Sequence, residues 1–130
     1  KREGTDVTIV SFGKIIKEAY KAADELEKEG ISCEIIDLRT VRPMDRNAIL
    51  TSVKKTNRLV VLEEAWPFGN VSTEITYLVQ SEAFDYLDAP VVKINTADTP
   101  APYSPVLLEQ WLPNKDEVIK AVKKVMYINA

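Results

Sequence analysis

Residues 7–38 read VTIVSFGKIIKEAYKAADELEKEGISCEIIDL, and this stretch decides the fold class. Two short runs rich in β-branched residues, at 7–11 and 33–38, flank a stretch at 14–29 whose apolar positions recur at helical spacing. Gly30 stands where a glycine commonly ends a helix. A strand, a helix and a second strand in this order predict a βαβ unit with two parallel strands.

The same alternation continues to the end of the chain. Further strands are predicted at 59–63 and 91–95, and further helices begin after Asp45, Asn70 and Asn114, which are good N-cap residues. Residues 99–113 hold four of the seven prolines, so we expect an irregular segment with at most a short helical turn near 106–111. The prediction is one α/β domain over residues 1–130, with three layers (α/β/α) and four parallel core strands in the order 2-1-3-4.

The composition excludes several classes of function. The chain of 130 residues has a net charge of −3, so it has no basic field for nucleic acid or an anionic membrane. It contains no histidine and one cysteine, Cys33, which excludes catalytic triads with histidine, histidine-ligated metals and internal disulfides. The four glycines are too far apart for a dinucleotide or P-loop motif, and no apolar run is long enough for a membrane span.

In an open parallel sheet, ligands usually bind beyond the carboxyl ends of the first and third strands. Glu63 and Glu64 are adjacent acids at such a strand end and could bind a metal ion or act in acid-base chemistry. Neighbouring strand residues point to opposite faces, however, which favours a structural or interface role. Cys33 lies within a predicted strand and is interpreted as a small buried hydrophobic residue. The predicted crevice would be lined by Ser11, Phe12, Gly13, Glu63, Glu64, Ala65 and Trp66.

Two loops at the predicted carboxyl ends could contact another chain. The apolar cluster Trp66-Pro67-Phe68 precedes a helix, and it predicts either such a contact or a tryptophan folded back over its own sheet. Arg39 and Arg42 could bind a phosphate or carboxylate, or bond loop carbonyls and the acids of a partner.

Residues 84–88 (FDYLD) form an acidic and aromatic segment before the fourth strand. Acids beside apolar rings suit the docking of a basic partner, although the composition alone favours a solvated turn that leads into the fourth strand. The residues by themselves therefore indicate an interaction or dimerisation module, which could be part of a larger enzyme.

Several motifs together resemble a known family. Residues 37–45 (DLRTVRPMD) resemble the signature of transketolase C-terminal domains, and residues 64–69 (EAWPFG) are similar to a stretch of pyruvate dehydrogenase E1 β subunits. Residues 87–90 (LDAP) and 97–103 (ADTPAPY) follow in the same order as in those subunits. The resemblance covers residues 5–128 and favours pyruvate over branched-chain 2-oxo acids as the substrate of the whole enzyme.

The resemblance implies a fold, a reaction and partners. It implies one further antiparallel edge strand, of which only residues 1–4 remain here, so this chain would be a fragment of a longer E1 β polypeptide. It implies thiamine-diphosphate- and magnesium-dependent oxidative decarboxylation by a holoenzyme, with acetyl transfer to lipoyl-E2. The diphosphate-binding motif is absent from this sequence, so this domain is expected to bind no cofactor and to be inactive alone.

The implied partners are the E1 α subunit, a second E1 β subunit and the peripheral subunit-binding domain of E2, with neither nucleic acid nor membrane. The resemblance implies an E2-docking surface at Asp88 and Ile128, near Phe84 and Tyr86. The subunit-interface candidates are Trp66, Pro67, Phe68, Arg39 and Arg42. The implied location is the bacterial cytoplasm, or a mitochondrial matrix or plastid.

Two alternatives to this interpretation are kept. The chain could be an autonomous α/β binding or signalling domain that uses the crevice. It could also be the corresponding domain of a transketolase or of a branched-chain 2-oxo acid dehydrogenase.

Overall fold

The computed structural model describes residues 2–39 and 44–128. The strands are β1 (Val7–Ser11), β2 (Cys33–Asp37), β3 (Leu59–Leu62) and β4 (Val92–Ile94). The helices are α1 (Ile16–Lys28), α2 (Arg46–Thr56), α3 (Val71–Glu82), α4 (Pro105–Trp111) and α5 (Lys115–Val125), with a 3₁₀ turn at Phe84–Tyr86.

The four strands form a parallel sheet in the order β2-β1-β3-β4. Ile9 of β1 is in register with Ile35 on one side and with Val60 on the other, and Leu62 of β3 is in register with Ile94. The predicted order and direction of the core strands are therefore confirmed. All residues of β1 and β3 are buried because helices cover both faces of the sheet.

Alternate residues of the strands enter two separate apolar layers. Ile9 packs with Leu26 of α1 and Val122 of α5 on one face. Its neighbour Val10 packs with Ile49 of α2 and with α3 on the other face. The period of two along each strand produces the predicted three-layer α/β/α arrangement.

The sheet continues past β2 as a single antiparallel bridge between Arg2 and Ile35. The Arg2 amide donates to the Ile35 carbonyl at 3.1 Å, and the Ile35 amide donates to the Arg2 carbonyl at 2.9 Å. Gly4 lies so close to β2 that a Cβ there would be 2.2 Å from the carbonyl carbon of Cys33. This bridge lies where the resemblance implied an antiparallel edge.

The three predicted N-caps are confirmed. The side chains of Asp45, Asn70 and Asn114 accept from the backbone amides three residues later, at 3.0–3.1 Å. These bonds fix the first residues of α2, α3 and α5. They therefore also fix the last residues of the loops that follow β2 and β3.

The fourth strand and the proline segment differ most from the prediction, whereas the other bounds agree to within two residues. β4 is shorter than predicted, because the Thr96 amide leaves the ladder and donates to the Ala65 carbonyl at 3.0 Å. The proline segment contains a true helix, α4, which begins at Pro105. Proline is tolerated at this position because the first turn of a helix requires no intrahelical N–H bond. Among the described helices, none has the length and apolar character that crossing a membrane requires.

Candidate docking surfaces

The parallel sheet sorts the predicted contact residues into two groups at opposite ends. Arg39, Trp66, Pro67 and Phe68 follow the carboxyl ends of β2 and β3, whereas Arg42 lies outside the described residues. Phe84, Tyr86 and Asp88 precede β4, and Ile128 follows α5, so these four lie at the amino ends of the strands. Strands of four or five residues separate the two ends by roughly 15 Å.

We call the group around Asp88 the amino-end surface; it contains Phe84, Tyr86, Asp88, Tyr127 and Ile128. Asp88 is held there through its backbone, because its amide donates to the Asn57 carbonyl at 2.9 Å and its carbonyl accepts from the Tyr127 hydroxyl at 3.3 Å. The second bond joins Asp88 to the end of α5. The structure therefore brings together Asp88 and the segment of Ile128, which are far apart in sequence.

The turn between α2 and β3 organises this surface. Asn57 has a φ of 65°, in the left-handed region, and its side-chain amide donates to the Tyr86 carbonyl at 2.8 Å. The Lys54 ammonium lies 5.4 Å from the centre of the Tyr86 ring. The carboxylate of Asp88 is 57% exposed, and its Oδ2 lies 3.9 Å from Nη2 of Arg58.

Phe84, Tyr86, Tyr127 and Ile128 are all exposed on the same amino-end surface as Asp88. An acidic group within exposed aromatic surface is suited to a partner that presents a basic group and apolar side chains. Asn57, Arg58 and Tyr127 were not predicted from the sequence as part of this surface. Only Asn57 carried a signal, since asparagine just after a helix is favoured in the left-handed conformation.

The opposite group is the carboxyl-end surface, formed by Arg39, Trp66, Pro67 and Phe68 with the segment 97–111. The indole nitrogens of Trp66 and Trp111 both donate to the Thr99 carbonyl, each at 2.9 Å. Trp66 nevertheless remains 51% exposed and Phe68 90% exposed. Trp66 thus combines both interpretations that the sequence left open: it is bonded to its own chain, and it presents apolar surface.

The proline segment extends this apolar surface. Tyr103, Val106 and Leu107 are exposed, and beside them lies a shallow cleft of about 360 Å³. Uncharged side chains line this cleft: Ala97, Thr99, Pro100, Pro102, Leu107, Gln110 and Trp111. The sequence analysis treated these residues as an irregular loop, because the exposure of their side chains depends on tertiary packing.

The predicted crevice between β1 and β3 contains a buried carboxylate that has a structural role. Glu63 is 1% exposed, and its Oε1 accepts from the Ser72 amide at 3.2 Å and from the Asn95 side chain at 3.0 Å. The carboxylate therefore fastens the first turn of α3, where a negative charge is favourable. Glu64 is exposed, so the two adjacent acids do not converge.

The donors around this crevice do not fit a magnesium-bound diphosphate. The one buried carboxylate is engaged by α3 and Asn95, and residues 2–39 and 44–128 contain no group of three or more Cys, Asp or Glu side chains arranged to hold a metal ion. The Glu63 carboxylate therefore serves the packing of α3 and β4 at this end of the sheet.

Two buried groups near the truncated edge serve the fold. Burial raises the pKa of the Cys33 thiol to about 11, in keeping with a hydrophobic role. Glu34 is also buried, and burial alone would raise its pKa. Hydrogen bonds from Lys55, Ser52 and the Gly4 amide, together with the charge of Lys55, outweigh burial and hold that pKa below its ordinary value.

Comparison with known protein families gives one match that covers most of the chain. The family described as the C-terminal domain of transketolase matches residues 1–118.

Curated relatives match over almost the whole chain. It is 50% identical over 126 residues to the pyruvate dehydrogenase E1 component subunit beta of Rickettsia felis, covering 97% of this chain and 39% of that protein. It is 54% identical over 126 residues to the same subunit of Rhizobium meliloti, covering 97% and 27%. A third relative, 43% identical over 126 residues, is the acetoin:2,6-dichlorophenolindophenol oxidoreductase subunit beta of Bacillus subtilis, with coverage of 97% and 37%. The chain thus spans about two fifths or less of the length of these relatives.

Solved structures with a similar fold include two enzymes of different kinds. A split gene transketolase, described as an inactive beta4 tetramer, matches with a TM-score of 0.83 and 30% identity over 99% of this chain and 41% of that one. The 2-oxoglutarate:ferredoxin oxidoreductase from Magnetococcus marinus matches with a TM-score of 0.65 over 97% of this chain and 19% of that one. At 14% identity, the second likeness concerns the fold alone.

Proposed function

Since the chain belongs to the transketolase C-terminal domain family, we propose that it is the C-terminal assembly and docking domain of a pyruvate dehydrogenase E1 β subunit. The observation that carries this proposal is the identity of about one residue in two with such subunits, over 97% of the chain. The two exposed surfaces at opposite ends of the sheet support a role in binding other chains.

In this proposal the reaction belongs to the whole enzyme. An E1 holoenzyme with thiamine diphosphate and magnesium would decarboxylate pyruvate oxidatively and pass the acetyl group to the lipoyl group of E2. The cofactor would be held between the E1 α subunit and the N-terminal domain of β. This domain contributes contacts rather than reacting groups.

The carboxyl-end surface is assigned to assembly with E1 α and a second E1 β subunit. Trp66, Pro67, Phe68, Arg39 and Arg42 are the proposed contacts. Support comes from the exposure of Trp66 and Phe68 beside a cleft without charged side chains. Permanent interfaces are richer in apolar surface and poorer in charge than the rest of a protein surface.

The amino-end surface is assigned to the peripheral subunit-binding domain of E2, which is basic in this family. Asp88 would supply the charge partner, and Phe84, Tyr86 and Ile128 the apolar surroundings. Support comes from the exposed Asp88 carboxylate and from the hydrogen bond that joins its segment to the end of α5. A charge pair formed on docking would contribute to the specificity and the association rate of the complex.

The test uses the assembled E1 enzyme and the isolated binding domain of E2. Asp88→Lys reverses the charge at the centre of the amino-end surface, so we expect at least about a tenfold loss of affinity in calorimetry. Asp116→Lys makes the same change of charge on an exposed residue in the first turn of α5, at the other end of the sheet, and should leave the affinity unchanged. Equal affinities for Asp88→Lys and wild type would remove Asp88 from the docking surface.

A further inference from the structure

Arg58 lies beside Asp88, the residue proposed to dock the partner, and the inference about Arg58 rests on the proposed function. We propose that Arg58 sets the affinity and the salt dependence of docking at the amino-end surface. It does so by partly neutralising Asp88 and by repelling the positive charge of the partner.

The guanidinium of Arg58 is anchored between two loops. Its Nη1 donates to the Asp6 carbonyl at 3.3 Å, and its Nη2 lies 3.9 Å from Oδ2 of Asp88. The side chain is 26% exposed. Its Nε is buried without a hydrogen-bond partner among the described residues. The positive charge is therefore fixed near Asp88 and only loosely compensated by it.

Asp88 does not depend on Arg58 for its position. Its amide is held by the Asn57 carbonyl and its own carbonyl by the Tyr127 hydroxyl. The ion pair, at 3.9 Å, is longer than a hydrogen bond. Removing the guanidinium charge should thus leave the Asp88 backbone in place and change mainly the electrostatic field that a partner meets.

The partner that this surface fits carries a positive charge. A cation bound to the free oxygen of Asp88 would sit roughly 6–8 Å from the guanidinium, within one Debye length at physiological salt. At such distances, in a largely aqueous environment, like charges change an equilibrium by about two- to fivefold. The effect should appear mainly in the association rate.

The experiment measures binding of the isolated E2 binding domain to the assembled E1 enzyme at about 0.02 M and about 0.5 M salt. We expect Arg58→Met to tighten binding about two- to fivefold at low salt and to show little gain at high salt. Arg58→Lys retains the charge and should stay close to wild type. Lys14→Met is the matched control, because Lys14 is an exposed cation in the loop after β1, at the opposite end of the sheet.

The outcomes separate this inference from the docking proposal. If Asp88→Asn leaves the affinity unchanged, the docking proposal itself fails. If Asp88→Asn weakens binding while Arg58→Met leaves it unchanged or weaker at low salt, only the role of Arg58 is overturned. If Arg58→Met lowers the melting temperature, Arg58→Gln keeps polar donors on the stem, and the same salt-dependent gain is expected from it.

Discussion

Glu34 remains charged in the interior because three groups donate hydrogen bonds to its carboxylate. Its Oε1 accepts from the Lys55 ammonium and, at 3.2 Å, from the Gly4 amide, while its Oε2 accepts from the Ser52 hydroxyl at 2.5 Å. Ser52 is also bonded to Thr8 of β1 at 2.6 Å. One carboxylate therefore joins the truncated edge, β2 and α2 to the central strand, in an otherwise apolar environment.

We predict that Glu34 makes stability depend on acid. Its pKa is lower in the folded chain than in the unfolded one, so its contribution is present above the unfolded pKa of about 4.3 and is lost as pH falls through the folded pKa. Glu34→Gln should lower the free energy of unfolding by about 1–3 kcal/mol at pH 7 and flatten its decline below about pH 5. Urea unfolding at several pH values checks this, with Glu29→Gln as control, because Glu29 pairs with Lys123 in exposed surroundings. Parallel pH curves for Glu34→Gln and wild type would contradict it.

Cys33 should be inert in the native chain. The thiol is buried and its pKa is raised to about 11, so both access and the thiolate fraction are low at pH 8. We expect iodoacetamide to label it in denaturant within minutes, and far more slowly in the native protein. Mass spectrometry measures the difference, and equal labelling rates would show that β2 does not protect the thiol.

At the scale of the elements, the proline segment is held by two indole groups. Trp66 and Trp111 share the Thr99 carbonyl, which ties the loop after β3 to α4 across the segment 97–104. A single Trp→Phe change removes one donor and keeps an aromatic ring, at a cost of about 0.5–1.5 kcal/mol. The loss of stability should be larger within residues 97–104 than for the whole domain, because this segment has little buried surface of its own.

We therefore predict faster hydrogen exchange in residues 97–104 for Trp66→Phe and for Trp111→Phe, and the fastest exchange for the double variant. Tyr77→Phe is a suitable control, since Tyr77 is exposed on α3. Exchange in β1 should stay unchanged in every variant. Unaltered exchange in residues 97–104 of the double variant would mean that packing, rather than the two indole bonds, holds the segment.

The elements that the sequence predicted well are those with local signals. The strands rich in β-branched residues, the apolar stripe of α1 and the caps Asp45, Asn70 and Asn114 depend on short-range chemistry, and all are confirmed. α4 was predicted only as a short turn, because proline argues against a helix until its place in the first turn is known.

The candidate surfaces were predictable to a smaller extent. Asp88 and Ile128 were predicted from a family resemblance. Arg58 and Tyr127 were identified only in the structure, through contacts with a residue 30 or more positions away. Arginine and tyrosine have no sequence pattern that would indicate such contacts. The strand order is needed to place the candidates at opposite ends of the sheet. The alternation of strands and helices in the sequence predicted that order.

At the scale of the whole molecule, the last prediction concerns assembly through the carboxyl-end surface. Phe68 is 90% exposed in a loop that follows β3, so an aspartate there should be tolerated by the fold but not by an apolar interface. In the full-length E1 enzyme we expect Phe68→Asp to weaken subunit association at least about tenfold, with a melting temperature of the isolated domain near that of wild type. Sedimentation over a range of concentrations measures the association, and Tyr77→Asp, on the exposed face of α3, is the matched control. If Phe68→Asp assembles as wild type does, the carboxyl-end surface is not a subunit contact, and its apolar side chains require a different partner.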